Sequence, residues 1–446
     1  MMRFLLFLYI CVLALGDIFG YALSLGAGMS ARNLLIYGAA VWLLLQRADG
    51  PPGKGELQTI QISFMVLIAY ATVTMFIASG IIHYPGYELR VSAIALKLQL
   101  IDSFLLVLVF FYGTRTTVGA RSLLKMLLVA VSIGNLFTVA KARGIIDFGV
   151  PVIFDAPNTV TSSFRVEGIF GDGNETGTLI ACLIPAYVSL ILSAKGFGKL
   201  FWTACIIFSA VVMLMTTSRG ALVALLSGTL WGAYLCRRYM SLRVAIRWGA
   251  AICAITIVGA LIAGPTFLAI YIHRFTGVYL SSAADVTSGR SDIWLRAVVA
   301  MMNSPVSLIT GFGWNTWSGG SVMSGFVAHN HYLFLWFELG LIGLASFLVM
   351  LQQLVTTALS TVPISDAPDR NLIIAFVFSF LILSIGIFFV LLFKPWTYLW
   401  PYIGLAMRYT VNVRSASRIN LDLQPEEKLP QAVGRLSASA RPAKTR

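Results

Sequence analysis

The sequence predicts an all-α membrane protein that crosses the bilayer many times, with about twelve transmembrane helices. Of its 446 residues 58% are hydrophobic and only 11% are charged, which excludes a soluble globular domain. Apolar runs of roughly 17–25 residues recur along the chain and are long enough to cross a bilayer as helices. Backbone groups inside lipid must pair within their own segment, which favours helices, and the alternating segments of about ten residues typical of membrane barrels are lacking.

The apolar runs set the expected boundaries. We predict spans near residues 3–22, 32–46, 57–82, 93–112, 122–140, 176–194, 200–217, 220–236, 246–268, 331–352, 371–393 and 395–410. The first span begins like a signal peptide, but its length and the spans that follow favour an uncleaved helix. The predicted regions are N-terminal helices 1–5 (1–140), a central region with two long loops (141–353), C-terminal helices (354–410) and a basic, disordered cytoplasmic tail (411–446).

Basic residues orient the predicted spans. With the N-terminus in the cytoplasm, the two long loops, 141–175 and 269–330, lie outside and carry fewer basic side chains per residue than the opposite side. The tail from 408 to 446 has eight Lys or Arg against three acidic residues. The net charge of +14 therefore indicates contact with anionic lipid headgroups rather than with nucleic acid. The basic residues of the cytoplasmic loops are Arg47, Lys54, Arg115, Arg121, Lys195, Lys199, Arg237, Arg238, Arg243 and Arg247.

Neither the cysteines nor the histidines form a metal-binding pattern. The five cysteines fall within or at the ends of predicted spans and form no C-x-x-C pair, so we expect neither a disulfide framework nor a metal site. Two of the four histidines, His329 and His331, would point about 200° apart on a helix, which prevents joint chelation. The cysteines are Cys11, Cys182, Cys205, Cys236 and Cys253.

The first outer loop, 141–175, leads into a glycine-rich stretch at 162–177 that contains Arg165. A phosphate-binding loop is disfavoured because no strand precedes the stretch and no Lys-Ser/Thr pair follows it. We expect Asn174 or Thr176 to cap the next helix. Arg165 itself fits two roles equally, a headgroup anchor or a member of a binding site.

Arg219 lies in a tight reversal, 216–222, between two apolar spans. Its guanidinium could anchor the chain to lipid at the bilayer edge. A functional role is favoured because a charge at this depth requires a partner that offsets its desolvation.

The second outer loop predicts an amphipathic helix that lies along the membrane surface and ends near Asn303. Ser291 is placed to cap it, with Asp292 favourably placed against its dipole. Arg290 would project from its start beside free backbone N–H groups, which favour an anion; capping and interfacial anchoring alone remain the alternative. The turn that follows, 311–317, carries tryptophans suited to the headgroup zone. The apolar side of the helix gathers Ile293, Trp294, Ala297, Val298, Met301 and Met302.

The predicted orientation brings four residues that are distant in sequence to the outer membrane boundary: Arg165, Arg219, Arg290 and His329. Arginine binds phosphate oxygens bidentately, and histidine is the usual proton acceptor near neutral pH. Together they predict a site for a diphosphate-activated group and a hydroxyl acceptor.

From His329 onward the chain fits the pattern H-[N/S/Q]-x9-G-x-x-G, which is completed by Asn330, Gly340 and Gly343. With the upstream Ser-Gly-Arg-Ser-Asp-Ile-Trp and Gly-Phe-Gly elements, residues 160–350 resemble the O-antigen ligase and polysaccharide polymerase superfamily. The resemblance implies a GT-C-like fold in which residues 141–353 form the catalytic region.

The resemblance also implies an inverting glycosyltransferase on the periplasmic face of the bacterial inner membrane, with neither a metal nor a cofactor. Its donor would be a glycan on undecaprenyl diphosphate, its acceptor another lipid-linked repeat unit or lipid A-core, and its partner a chain-length regulator. By motif position His329 matches the catalytic histidine, Arg219 and Arg290 match arginines at the diphosphate, and Arg165 is a weaker match. Supporting roles are expected for Asn330, His331 and Glu338.

Two alternatives to an exopolysaccharide or O-antigen polymerase stay open. An O-antigen ligase shares the motif, because the acceptor is not written in it. A lipid-linked oligosaccharide flippase or other transporter would carry ionisable residues along a path through the membrane. The candidates for such a path are few: Asp17, Lys97, Asp102 and Glu338.

Overall fold

The computed structural model describes most of the chain: residues 1–19, 24–26, 29–46, 54–149, 153–154, 165–168, 171–240, 249–250, 254, 257–258, 261–262, 264–265, 289–319, 323, 326–392 and 397–422. The helices are α1 (Met2–Phe19), α2 (Ala31–Leu45), α3 (Lys54–Ile77), α4 (Leu89–Leu96), α5 (Asp102–Tyr112), α6 (Thr117–Ala142), α7 (Gly173–Ser193), α8 (Phe197–Met215), α9 (Arg219–Cys236), α10 (Arg290–Met302), α11 (Pro305–Thr310), α12 (Thr316–Gly319), α13 (His331–Thr361), α14 (Ala367–Gly386) and α15 (Leu399–Asp422). Two short antiparallel pairs join β1 (Ser24–Gly26) to β2 (Met29–Ser30) and β3 (Ile153–Phe154) to β4 (Arg165–Val166).

Three shorter turns extend these helices. A π-helical turn, Ala78–Ile82, continues α3, and another, Lys97–Ile101, joins α4 to α5 into one continuous rod. A 3₁₀ turn, Val362–Ile364, follows α13.

Nine helical segments within the described ranges are long and apolar enough to cross a membrane. They confirm the predicted class, an all-α polytopic membrane protein. The segments are Met2–Phe19, Leu57–Ile82, Leu89–Tyr112, Thr117–Ala142, Gly173–Ser193, Phe197–Met215, Arg219–Cys236, His331–Ile364 and Ala367–Gly386.

The count of about twelve spans stays a prediction, because three expected spans are not among these nine. The helix α2 has only 15 residues. The expected span 246–268 lies largely outside the described residues. The third expected span, 395–410, corresponds to α15, which is not one of the nine segments.

The helix α15 also continues to Asp422, so residues 411–422, which we expected in a disordered tail, are helical. Packing explains this extension, since Val411 and Val413 are buried against the rest of the bundle.

The helix α14 lies at the centre of the bundle, in contact with α7, α9 and α13. Glycines on α9 permit its close approach. A Cβ on Gly228 would lie 2.6 Å from the Ile382 side chain, and one on Gly232 would collide with the Phe378 ring. Small residues at such contacts matter in lipid, where apolar burial alone does not draw helices together.

The helices alternate in direction, which gives the bundle two ends. We call the end where α8 stops and α9 and α13 begin the His329 end. The opposite end, which we call the basic end, carries Arg237 after α9. Contacts tie this end together: Arg3 Nη2 donates to Thr116 Oγ1 at 2.7 Å, and Arg414 Nη2 donates to the Thr357 carbonyl at 2.8 Å.

Arg408 ties α15 to the turn between α5 and α6. Its side chain is fully buried, and its Nε and Nη2 donate to the carbonyls of Thr114 and Arg115 at 2.6 and 3.2 Å. Its guanidinium carbon lies 5.3 Å from the centroid of the Phe111 ring. Both carbonyls lie in the turn between α5 and α6, outside either helix, so Arg408 provides hydrogen-bond donors to backbone groups that have no helical partner.

Replacing Arg408 by Met should therefore lower the free energy of unfolding by about 1–3 kcal/mol, because the buried carbonyls lose their donors. Thermal unfolding of the purified protein in detergent measures the effect. Lys199→Met removes an exposed positive charge at the same end and should leave the midpoint unchanged. Equal shifts in the two variants would contradict this role for Arg408.

Candidate active site

His329 does not lie on a helix, although we expected His329 and His331 to lie on the same one. Asn330 is the N-cap of α13, and its side-chain oxygen accepts the N–H of Leu333 at 3.1 Å. His329 precedes this cap with φ of 46°, in the left-handed region that residues other than glycine rarely adopt. Strained backbone of this kind gathers at functional sites. The imidazole of His329 is half-buried, and its direction is set by a turn rather than by a helical face.

The helix that begins with Arg290 contacts the chain directly before His329. Trp294 Nε1 donates to the carbonyl of Ala328 at 2.9 Å. Residues four apart share one face of a helix, so Arg290 lies on the face of α10 that carries this contact. The structure thus brings the start of α10 close to His329.

Two details of α10 differ from expectation. Its N-cap is Gly289, with φ of 79°, and not Ser291, because the helix already begins at Arg290. Met302 is exposed, whereas Ala297 and Met301 are fully buried. The apolar face is therefore narrower at its end than the sequence predicted.

His331, the first residue of α13, is enclosed by the segment 387–392 that follows α14. Its backbone N–H donates to the carbonyl of Ile387 at 2.8 Å, and its Nδ1 accepts the N–H of Leu392 at 3.4 Å. Its ring is fully buried and lies 4.8 Å from the Phe347 ring, centroid to centroid. These contacts give His331 a structural place in the bundle.

The same segment 387–392 also contacts the start of α9, at Gly220. The reversal between α8 and α9 turns at Thr217, with φ of 51°, and Ser218 caps α9 by accepting the N–H of Ala221 at 3.3 Å. A Cβ on Gly220 would lie 2.6 Å from the Phe389 side chain. Arg219 therefore follows a buried cap and lies beside the segment that also holds His331.

Strand β4, which contains Arg165, lies near this reversal. Val166 is fully buried, and the carbonyl of Glu167 accepts the hydroxyl of Thr176 at 2.5 Å. The next residue, Gly177, contacts the reversal: its Cβ would lie 3.1 Å from that of Ser218. The backbone of β4 is thereby linked to the start of α9.

The cap of α7 is neither Asn174 nor Thr176, as the sequence suggested. Asp172 takes this position, and its Oδ1 accepts the N–H groups of Asn174 and Glu175 at 2.8 and 3.0 Å. A carboxylate at a helix start satisfies free N–H groups and also interacts favourably with the helix dipole. Thr176 does not cap the helix, because its hydroxyl donates to the carbonyl of Glu167 instead.

A buried carboxylate organises the segment 311–317 that precedes His329. Glu338 lies about two turns into α13 and is fully buried. Its Oε2 accepts the N–H of Asn315 at 2.9 Å, and its Oε1 accepts the N–H of Trp317 at 3.1 Å. Hydrogen bonds to both oxygens offset the cost of burying a carboxylate. Glu338 thus holds segment 311–317 against α13.

The helix α13 kinks at Gly340, whose φ is 59° and ψ is −158°. A Cβ at this position would collide with the carbonyl of Ile309 and would lie 2.5 Å from the nitrogen of Gly311. Gly343 lacks room for a Cβ because of the Leu339 side chain. The G-x-x-G part of the motif therefore corresponds to a helix break that a second backbone approaches closely.

The segment 311–317 also forms main-chain hydrogen bonds to α13 next to this break. The N–H groups of Phe312 and Gly313 donate to the carbonyls of Phe337 and Glu338 at 2.8 and 2.9 Å. The Phe312 and Phe337 rings stack with centroids 4.5 Å apart. Two main-chain and two carboxylate bonds therefore fix this segment to α13.

The tryptophans of this segment are fully buried, so their rings pack inside the protein rather than facing outward. Trp314 Nε1 donates to the carbonyl of Ser92 at 3.2 Å, and Trp317 Nε1 donates to that of Phe326 at 3.0 Å. The Tyr87 hydroxyl donates to the Trp314 carbonyl at 2.6 Å. Burial raises the pKa of Tyr87 above its usual range, which keeps this donor protonated.

The ionisable candidates for a transport path are paired inside the bundle. Arg32 Nη1 lies 2.9 Å from Asp17 Oδ1, and Lys97 Nζ lies 2.9 Å from Asp102 Oδ2. The Tyr37 hydroxyl donates to Asp102 at 2.6 Å. Such pairing offsets the cost of buried charge in a membrane and favours a structural role.

The described structure is thus a multi-pass helical membrane protein whose motif residues gather at one end of the bundle. A family model described as O-antigen ligase matches residues 204–348, from within α8 to within α13. This match confirms the resemblance to the O-antigen ligase and polysaccharide polymerase superfamily, and it includes Arg219, Arg290 and His329 but not Arg165. No curated protein matches the chain.

Replacing Glu338 by Gln should release segment 311–317, because an amide nitrogen facing a backbone N–H cannot accept its hydrogen bond. The loss of a bond in a buried site should cost about 1–3 kcal/mol. Hydrogen–deuterium exchange of the peptide that covers 311–319 measures the release, and we expect faster exchange at Asn315 and Trp317.

The matched control is Glu88→Gln, since Glu88 is exposed at the same end of the bundle. It should leave exchange in 311–319 unchanged. Unchanged exchange in the Glu338 variant would show that the carboxylate does not hold the segment.

Proposed function

We propose that this protein is a membrane glycosyltransferase that polymerises oligosaccharide carried on undecaprenyl diphosphate. The observation that carries the proposal is the junction at His329. This histidine has a left-handed backbone conformation. The residue before it, Ala328, accepts a hydrogen bond from the helix that begins with Arg290. Segment 387–392 contacts both His331 and Gly220, the neighbour of Arg219. The O-antigen ligase match over the same residues supports it.

The proposed reaction is a direct displacement at the anomeric carbon of the donor. The hydroxyl oxygen of the acceptor forms the new glycosidic bond on the face opposite the leaving group, and its proton passes to the imidazole of His329. The bond between the anomeric carbon and the diphosphate oxygen breaks, and undecaprenyl diphosphate leaves with the electron pair. The configuration of the sugar is therefore inverted.

The arginines act on the leaving group in this proposal. Arg219 and Arg290 neutralise the charge that builds on the departing diphosphate, an electrostatic contribution that often dominates catalysis. Arg165 is a weaker third member. Asn330 fixes the start of α13, and Glu338 positions the segment before His329.

The site is proposed to face the periplasm of a bacterial inner membrane, with the basic end in the cytoplasm. The preferred acceptor is a second lipid-linked repeat unit, with a chain-length regulator as partner. Transfer to lipid A-core, the reaction of a ligase, is the second candidate and would use the same site. No cofactor and no metal take part in either proposed reaction.

The substitution His329→Ala should lower the turnover number by about 10²–10⁴-fold, because the attacking hydroxyl loses its proton acceptor. Arg290→Lys and Arg219→Lys keep the charge but lose bidentate contact with phosphate, and each should lower the rate by a smaller factor. Purified protein in liposomes, given lipid-linked oligosaccharide, is assayed by the glycan products separated by size.

His83→Ala is the control, since His83 is another histidine exposed at the His329 end and should leave the rate unchanged. Full activity of the His329 and Arg290 variants at native expression would contradict the proposed site. A ladder of longer lipid-linked glycans indicates a polymerase, and product formed only when lipid A-core is added indicates a ligase. Passage of the glycan across the membrane without a new bond would indicate a transporter and overturn the proposal.

A further inference from the structure

A cavity of about 490 Å³ opens at the basic end of the bundle, between the ends of α9 and α13. The helix α9 has 18 residues and is therefore about 27 Å long, so the cavity is separated from Arg219 by roughly the thickness of the hydrocarbon core. It is distinct from the site at His329. The residues that line it are Leu235, Arg237, Arg238, Tyr239, Thr356, Leu359, Ser360 and Pro363.

The charged residues that line the cavity within the described part of the chain are two arginines, Arg237 and Arg238, with no acidic residue among them. Arg237 is already oriented: its Nη1 donates to the Tyr234 carbonyl at 3.0 Å, and its guanidinium carbon lies 4.1 Å from the centroid of the Tyr234 ring. One N–H of Arg237 is engaged in this way, which leaves its other donors for a ligand. Arg238 is exposed and makes no hydrogen bond within the described part of the chain.

The remaining walls combine hydroxyl and apolar groups. Thr356 and Ser360 lie on one exposed face of α13, one turn apart. Arg414 of α15 donates to the Ser360 hydroxyl and adds a third guanidinium next to this wall. Leu235 and Leu359 provide apolar surface beside the arginines. A ligand that fits these walls is anionic at one end and apolar at the other.

We propose that this cavity binds the phosphate headgroup of an anionic phospholipid. Guanidinium groups bind phosphate oxygens bidentately, and basic pockets between transmembrane helices suit lipid headgroups. The lipid chains would lie along the apolar wall, which a free phosphate ion would leave unused. The bound lipid would contact α9 and α13 together, at the ends opposite Arg219 and His329.

The test uses the full chain in nanodiscs of phosphatidylcholine with increasing amounts of phosphatidylglycerol. Native mass spectrometry after detergent release counts the phosphatidylglycerol that stays bound. We expect one tightly held molecule in the parent protein. Arg237→Gln with Arg238→Gln should weaken this binding about 30-fold, from about 1 kcal/mol for each basic residue.

The matched control is Lys195→Gln with Lys199→Gln, which removes two exposed charges from the same end and should leave the binding unchanged. Thr356→Glu is a second variant that keeps both arginines and places a carboxylate on an exposed wall, and it should also weaken binding. If the double arginine variant fails to fold, the Thr356→Glu variant still tests whether the lipid binds in this cavity.

Three results would overturn the proposal. The first is parent-like retention of phosphatidylglycerol in both cavity variants. The second is an equal loss in the lysine control, which would indicate general surface charge. The third is displacement of the lipid by inorganic phosphate at comparable concentration, which would indicate a free anion as the occupant.

Discussion

The His329 end of the structure depends on the burial of one carboxylate. Irregular backbone inside a protein is stable only where its polar groups are paired. Segment 311–317 meets this condition because Glu338 accepts the N–H groups of Asn315 and Trp317, while the turn before the break at Gly340 provides two carbonyls. The carboxylate is stable there only because the segment supplies these donors, so helix and segment require each other.

The bonds between Glu338 and segment 311–317 fix the chain just before His329. Two further contacts complete the arrangement around His329. The bond from Trp294 to Ala328 attaches α10, and segment 387–392 lies against both His331 and Gly220. The turn at His329 is therefore linked to the start of α10 through Trp294 and Ala328, and to the start of α9 through segment 387–392. Pre-organisation of this kind is what stabilisation of developing charge requires.

The membrane-spanning helices and the candidate residue His329 could be predicted from the sequence, because long apolar runs and the H-[N/S/Q]-x9-G-x-x-G pattern are local signals. The spans near 57–82 and 200–217 match the structure closely for this reason. What could not be predicted depends on contacts between distant residues. The burial of Trp314 depends on partners more than two hundred positions away, at Tyr87 and Ser92, and nothing in segment 387–392 marks it as the neighbour of His331.

The most direct test of the proposed site is an electron cryomicroscopy map of the full chain with an unreactive undecaprenyl-diphosphate glycan bound. We expect the diphosphate between Arg219 and Arg290 at the His329 end, with the anomeric carbon on the side of the His329 imidazole. We also expect segment 311–317 to be held on Glu338 in the same map. Density for the diphosphate at the basic end, or beyond reach of both arginines, would contradict the proposed site.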